Sequence, residues 1–171
     1  MTGPGDGAGV TGEPRVRRCG PGDVLALRQA VLRPHLTTEE ARFATDSDPA
    51  TAHFCAEDNC GRVVSVASLL NERPPWQEGE GNAWRLRGMA TAPEWRGRGA
   101  GSAVLAAVFD YVAASGGGLL WCNARLSAVD FYTRAGMATT GEPWEEPVIG
   151  PHIAMFTNIR KDKGRFVAQG T

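Results

Sequence analysis

The residues of this chain best suited to chemistry by type and spacing run from Arg96 to Ser102, in the order Arg-Gly-Arg-Gly-Ala-Gly-Ser. Pro93 breaks an extended run just before them, and an apolar helix-like run follows without punctuation until Ser115. A loop of this kind at a helix start offers an anion three things. The first backbone N–H groups of the helix have no partner inside it, the dipole favours negative charge, and glycines let a phosphate come close. Arg96 and Arg98 add charge-assisted donors. A pyrophosphate is the ligand this loop predicts. A dinucleotide fingerprint is excluded because Ser102 stands where its last glycine is needed, and a Walker loop is excluded because no Gly-Lys-Ser/Thr follows. A plain glycine turn before a helix is the competing reading for a chain with 22 glycines.

Composition sets the bounds. A chain of 171 residues is long enough for one domain with a substantial core. A net charge of −1 gives no electrostatic case for nucleic acid or a membrane as partner. No apolar run is long enough to span a bilayer and the N-terminus lacks a signal peptide's apolar region, so a cytoplasmic protein is expected. Cys19, Cys55, Cys60 and Cys122 form no C-x-x-C pair. They read as reduced cytosolic thiols, with no metal site expected, and a Cys55–Cys60 disulfide across a hairpin is the weaker alternative.

The elements that must position the loop follow from pattern. Residues 1–14 are Gly-rich and predict a disordered lead, followed by a single domain over 15–160 and a fraying tail over 161–171. Arg15 to Cys19 reads as an edge-like strand. Asp23 reads as the N-cap of a helix carrying Val24, Leu27 and Val31 on one face and ended by Pro34. Thr38, with Glu39 and Glu40, predicts a short helical turn containing Phe43. Strands are expected over His53–Glu57 and Arg62–Leu70, joined at the turn signal Asp58-Asn59-Cys60-Gly61.

A polar loop from Asn71 to Asn82 holds Pro74, Pro75 and an exposed Trp76. The strand Trp84–Thr91 then places Trp84, Leu86 and Ala90 on one face and Arg85, Arg87 and Met89 on the other. Gly88 in its middle marks a bulge or a close approach to the backbone. The helix after the arginine loop carries Val104, Leu105, Val108, Tyr111 and Val112 at helical spacing and ends at Ser115–Gly118. Leu119–Ala124 reads as a central strand. Ser127 opens a short helix closed by Gly136. Met137–Thr140 and Ile153–Ile159 form a last pair of strands, joined by Glu142–Pro151. This order predicts an α/β or α+β three-layer arrangement.

In that setting two motifs resemble those of the GCN5-related N-acetyltransferases. The acyl-CoA loop of that family, Gln/Arg-x-x-Gly-x-Gly/Ala, is matched by Arg96, Gly99 and Gly101, with Gly97 and Arg98 also of the common type. Its second signature, Ala-x-x-Phe-Tyr followed by glycine and a hydrophobic residue, is matched by Ala128, Phe131, Tyr132, Gly136 and Met137. The resemblance covers Arg15 to Ile159. Trp121-Cys122-Asn123-Ala124-Arg125 and Ile149-Gly150-Pro151-His152 look like those of a subgroup of small bacterial acetyltransferases. One departure stands out: many relatives keep an asparagine three residues before Ala128, where this chain has Arg125, with Asn123 two residues earlier.

The resemblance implies a mixed, mostly antiparallel sheet of about six or seven strands flanked by helices, and transfer of acetyl from acetyl-CoA to an amine in a ternary complex. It implies that backbone groups of Met89, Ala90 and Thr91 meet the pantetheine and thioester. It further implies that Arg96, Gly97, Arg98, Gly99, Ala100, Gly101 and Ser102 hold the pyrophosphate, and that Asn123 or Arg125 contacts the pantetheine arm. Tyr132 would protonate the departing sulfur, which a phenol of pKa about 10 can do at pH 7. An amine of pKa about 10.4 is neutral only about once in 2500 molecules at pH 7, so a base is useful. Glu72 and His152 are the candidates.

Acids Glu142, Glu145 and Glu146 would steer a cationic amine, and Trp76 and Trp144 would wall it. A small primary amine is therefore the expected acceptor, and a homodimer is compatible with the exposed tryptophans. A non-catalytic acyl-CoA-binding module is the alternative, with Tyr132 as packing alone.

Overall fold

A computed structural model describes residues 12–161. The expectations for the N-terminal lead and the C-terminal tail therefore fall almost wholly outside the described residues. The elements are β1 (Arg15–Cys19), α1 (Pro21–Leu32), β2 (Ala52–Glu57), β3 (Val63–Asn71), β4 (Ala83–Thr91), α2 (Ala100–Ala114), β5 (Gly118–Arg125), α3 (Val129–Arg134), β6 (Ala138–Glu146) and β7 (Gly150–Ile159). One sheet takes all seven strands in the order β1-β2-β3-β4-β5-β7-β6. Every neighbouring pair is antiparallel except β4 and β5. That exception needs a crossover, because two parallel strands cannot be joined by a hairpin, and α2 supplies it.

The two faces of the sheet carry the helices. On one face Val104, Leu105, Val108 and Val112 of α2 are buried against Phe54, Ala67, Leu69, Leu86 and Leu120. On the other, Val24 of α1 packs with Cys55, Val66 and Ala90. This is the expected three-layer α/β arrangement. It works because α2, which begins at Ala100, keeps its valines and leucine on one stripe.

Several local expectations are corrected. The first helix starts at Pro21, with Gly20 as its N-cap, and Asp23 sits inside the first turn, where its carboxylate accepts the Gly20 N–H at 2.9 Å. Proline's fixed φ makes it a ready first helical residue, so the start moves two residues ahead of the acid. No helix forms around Phe43. Instead the Thr37 hydroxyl accepts the Glu40 N–H at 3.3 Å, and the Glu40 carboxylate takes the Thr37 N–H and O–H at 2.7 and 2.8 Å. A single turn cannot offset the cost of helix nucleation, so the segment settles into turns.

At the other end β6 continues through Glu146, and residues 147–149 alone form the turn into β7. A register shift between Thr140 and Trp144 accommodates Pro143, which has no N–H to give a ladder. All four cysteines are free thiols, so the Cys55–Cys60 disulfide is not formed. The hairpin turn itself is as expected, with Asp58 Oδ1 accepting the N–H groups of Cys60 and Arg62, both at 2.9 Å.

Candidate active site

The site begins where the parallel pair fails. β4 and β5 are paired only at Ala83–Leu119, Trp84–Leu120 and Arg85–Trp121. Beyond Arg85 the two strands run on, to Thr91 and Arg125, without pairing with each other. A β-bulge lies at this parting: Val66 pairs with Ala90 and Ser68 with Arg87, so Ala67 alone faces both Gly88 and Met89. Gly88 has φ +58, and a Cβ there would stand 2.6 Å from Arg28 Nε and 3.0 Å from Phe43 Cε2. Both facts demand glycine. The extra residue also inverts the strand's faces. Met89 packs toward α2 with Trp84 and Leu86, and Ala90 packs toward α1. This corrects the simple alternation expected for the strand.

Two cavities open in the gap, of about 620 Å³ and about 290 Å³, and they share Leu32, Met89, Arg125, Ala128 and Tyr132. The larger lies at the start of α2. Gly99 caps that helix in the left-handed conformation, with φ +84 and no side-chain cap. Ala103 donates to Gly99 O at 2.9 Å, so the N–H groups of Ala100, Gly101 and Ser102 precede the first helical bond. Arg96, Gly97, Gly99, Gly101 and Ser102 line this cavity with Met89, Ala90 and Thr91. Gly101 is needed for packing as well, since a Cβ there would lie 3.0 Å from Thr91 Oγ1. Arg98 and Ala100 do not line it, and Ala100 is wholly buried in the core.

Tyr132, on α3, stands where the cavities meet. It is 8 % exposed, lies edge-on to Phe131 at 5.1 Å, and joins the main core. Burial, with a smaller push from Cys122, raises its phenol well above the ordinary value, so it stays protonated. Cys122 lines the smaller cavity, but burial pushes its thiol up to about 12, which disarms it as a nucleophile.

The smaller cavity receives His152, Asn123 and, from β6, Trp144 and Glu146. His152 stacks on Trp144 at 6.0 Å, and its Nδ1 lies 2.8 Å from Gly150 O. A carbonyl only accepts, so Nδ1 carries the hydrogen and the neutral ring keeps its lone pair on Nε2. Glu142 and Glu145 do not line either cavity. Nor does Glu72. Its carboxylate holds Arg85 at 2.6 Å, and its carbonyl takes the Trp121 indole N–H at 2.8 Å. Trp76 packs edge-on to Trp121 at 5.2 Å and also lies outside the cavities.

The sequence reading did not single out Arg33, Phe43, Arg85 and Arg87 as site residues, yet all four line the smaller cavity. A signal for two of them was available. Arg85 and Arg87 alternate on a strand whose other positions, Gly88 and the terminal Thr91 aside, are apolar, an unusual place for paired cations.

Comparison with known proteins agrees with this geometry. Residues 24–137 match the model of the Acetyltransferase (GNAT) family. The chain is 33 % identical over 141 residues to the uncharacterized N-acetyltransferase YitI of Bacillus subtilis, covering 82 % of this chain and 93 % of that one. Among solved structures, a GCN5-related N-acetyltransferase from Kribbella flavida superposes with TM-score 0.64 at 24 % identity, covering 85 % of this chain and 97 % of the other. The ribosomal-protein-S18-alanine N-acetyltransferase of Escherichia coli gives 0.65 at 16 % identity, covering 86 % and 95 %. These structural likenesses speak to the fold, and the family match with the curated relative speaks to descent. The chain belongs to the GNAT acetyltransferase family, and its coarse activity is that of an acetyltransferase of this type.

Proposed function

We propose that the chain transfers an acetyl group from acetyl-CoA to the primary amine of a small molecule by direct attack in a ternary complex. The observation that carries the reading is the meeting of two cavities at Tyr132, in the gap between parted parallel strands. The larger cavity suits the cosubstrate: free amides at the start of α2 and the Arg96 guanidinium complement a pyrophosphate. The unpaired edge of β4 from Met89 to Thr91 offers backbone groups to the pantetheine arm. Arg125, at the wall between the cavities, is available to the arm as well. Asn123 lines only the acceptor side, so of the two residues Arg125 is the better placed.

Acetyl-CoA supplies an activated thioester. The amine nitrogen forms the new N–C bond as the C–S bond breaks. Tyr132 donates its proton to the departing sulfur, and Nε2 of His152 accepts the proton the amine sheds. Both groups then re-equilibrate with water. A phenol held above its usual pKa remains a competent donor in alkaline solution, so the acid is ready whenever the amine is neutral. Glu72 is removed from the base role in this scheme by its pairing with Arg85.

Tyr132→Phe tests the scheme. The expected result is a fall in kcat on the order of 10²- to 10⁴-fold, with acetyl-CoA affinity by calorimetry unchanged. The wild-type kcat should also hold its plateau up to about pH 10, because deprotonation of Tyr132 is displaced beyond the ordinary phenol value. Unaltered turnover in the variant would remove Tyr132 from the chemistry. Tight acetyl-CoA binding with no thiol release from any amine would instead favour a non-catalytic acyl-CoA-binding module, a role that the packing of Tyr132 on Phe131 also suits.

A further inference from the structure

The smaller cavity carries more positive charge than an amine-binding pocket needs. Arg33, Arg85, Arg87 and Arg125 line it, against a single lining carboxylate, Glu146. The four are not equivalent. Arg33, the C-cap of α1, has no ion pair or side-chain hydrogen bond among the described residues, and no aromatic ring fixes its plane. Arg85 is held by Glu72. Arg125 donates to the Leu32 carbonyl at 2.7 Å. Arg87 is half-buried and lies with its guanidinium carbon 4.0 Å from the centre of the Phe43 ring. It has no ion pair or hydrogen bond among the described residues. The nearby acids are committed elsewhere, Asp46 to Arg28 and Glu72 to Arg85.

The nitrogens of the Arg87 guanidinium are not sealed from solvent, so water supplies their acceptors in the free protein, and a ligand filling the cavity must replace that water with acceptors of its own. Burial, and then the neighbouring Arg85, weaken the guanidinium's hold on its proton by more than Glu72 and Asp46 restore. Phe43 fixes the plane of the group and leaves the donor edges open. A planar carboxylate, bound through two parallel N–H···O contacts, is the natural complement.

From this we infer that the acceptor is an amine that also bears an anionic oxygen group, a carboxylate above all, with Arg87 as the residue that binds it. The inference rests on the acetyltransferase reading above and narrows it. It disfavours polyamines and other purely cationic acceptors. Glu146, exposed and hydrogen-bonded to the Trp144 indole at 3.2 Å, is left to face the ammonium end of such a zwitterion.

The test uses the full chain and matched probes. Acetyl-CoA-dependent thiol release is measured with the common amino acids, their primary amides, the corresponding decarboxylated amines, spermidine and aminoalkyl phosphates. The expected result is a preference for acids over their amides by at least about 10²-fold in kcat/KM, carried mainly by KM. In Arg87→Gln the acid-to-amide ratio should collapse toward one. Phosphates outperforming carboxylates would assign the same anion subsite to a phosphate. Amides or spermidine used as well as acids would overturn the inference while leaving the acetyltransferase reading intact.

A second measurement does not depend on turnover. Fluorescence of the tryptophans, Trp144 lying in the cavity, is titrated with succinate and with succinamide. Succinate alone should give a saturable change, and Arg87→Gln should weaken it by about tenfold or more. Equal responses to the two probes, or a succinate response unaltered in the variant, would overturn the anion subsite. Failure of acetyl-CoA to bind at all would strike the enzyme reading instead, and the succinate arm would still decide the role of Arg87.

Discussion

Phe43 carries a guanidinium carbon of Arg28 and one of Arg87, each 4.0 Å from its ring centre, and the two arginines live in opposite circumstances. Arg28 is fully buried, and both of its terminal nitrogens are engaged while Nε alone is left without a partner. It meets Asp46 at 2.5 and 3.1 Å and donates to Ser68 Oγ at 2.8 Å, whose hydroxyl in turn lies 2.8 Å from His53 Nδ1. His53 closes the circuit by donating from Nε2 to the Asp46 carbonyl at 2.9 Å. Arg87, on the strand beside it, opens into the smaller cavity with no carboxylate of its own. The contrast separates a charge used to hold a fold from a charge kept ready for a ligand. The first pins the loop between α1 and β2 onto the sheet, and that loop positions the ring against which the second is held.

The sharpest way to break the comparison is Asp46→Ala. It leaves Arg28 buried without a counter-charge and removes the acceptor of the Phe43 N–H, which lies 2.8 Å from Asp46 Oδ2. The expected loss is about 3–5 kcal/mol in denaturant unfolding, because breaking a buried pair from one side exposes the full desolvation penalty. A loss under about 1 kcal/mol would show that the cluster does not anchor the loop.

Gly88→Ala strikes both arginines from the bulge between them. A methyl group at φ +58, aimed at the Arg28 side chain and Phe43, must displace one or the other. About 1–3 kcal/mol of stability should be lost through strain and repacking, read as a lower thermal midpoint. The KM for acetyl-CoA should rise as well, because the same bulge sets where β4 parts from β5. A stable variant with an unchanged KM would separate the bulge from the site.

How far these features are legible in the sequence follows from their causes. The loop from Arg96 to Ser102 is local, so residue type and spacing sufficed to single it out, whereas the Ala128–Tyr132 signature is legible only through the family resemblance, since its spacing alone reads as core packing. Gly88 announced a bulge, but the inversion of faces at Met89 and Ala90 depends on the register against Ala67, which no single strand encodes. Arg28 was invisible for a similar reason. It sits on a helix where an arginine ordinarily faces water, and its burial comes from Asp46, Ser68 and His53, drawn from three other parts of the chain. Glu72 looked free in a polar loop until β4 brought Arg85 alongside. The extent of β6 was obscured by Pro143, and pairing with β7 overrode it. What the sequence hid was long-range pairing, and the smaller cavity is built from such pairings.

Glu72→Gln refines the contrast at the third arginine. The pair is partly exposed, 21 % for Arg85 and 37 % for Glu72 at the side chains, so solvent screening limits its worth to about 0.2–1 kcal/mol. The informative readout is kinetic. With Arg85 released, the cavity holds a further uncompensated cation beside Arg33 and Arg87, and KM for a carboxylate-bearing amine should fall modestly, with kcat retained. A fall in kcat on the order of 10²-fold would restore Glu72 as the base and move that role away from His152.

The smallest expected effect is the most discriminating. Arg87→Gln should leave stability within about 0.5 kcal/mol of wild type, since no ion pair or protein hydrogen bond is lost and part of a desolvation cost is relieved. Set beside Asp46→Ala, it asks whether two arginines on one ring differ in purpose as they differ in partners. Denaturant midpoints measured on both variants supply the answer. A loss of several kcal/mol from Arg87→Gln would mean that the Phe43 contact itself carries structural weight. The open cation would then be a second anchor, and its readiness for an anion a by-product of packing. A midpoint unmoved leaves the donors of Arg87 without a structural reason, and a carboxylate on the acceptor becomes the remaining physical account of why they are there.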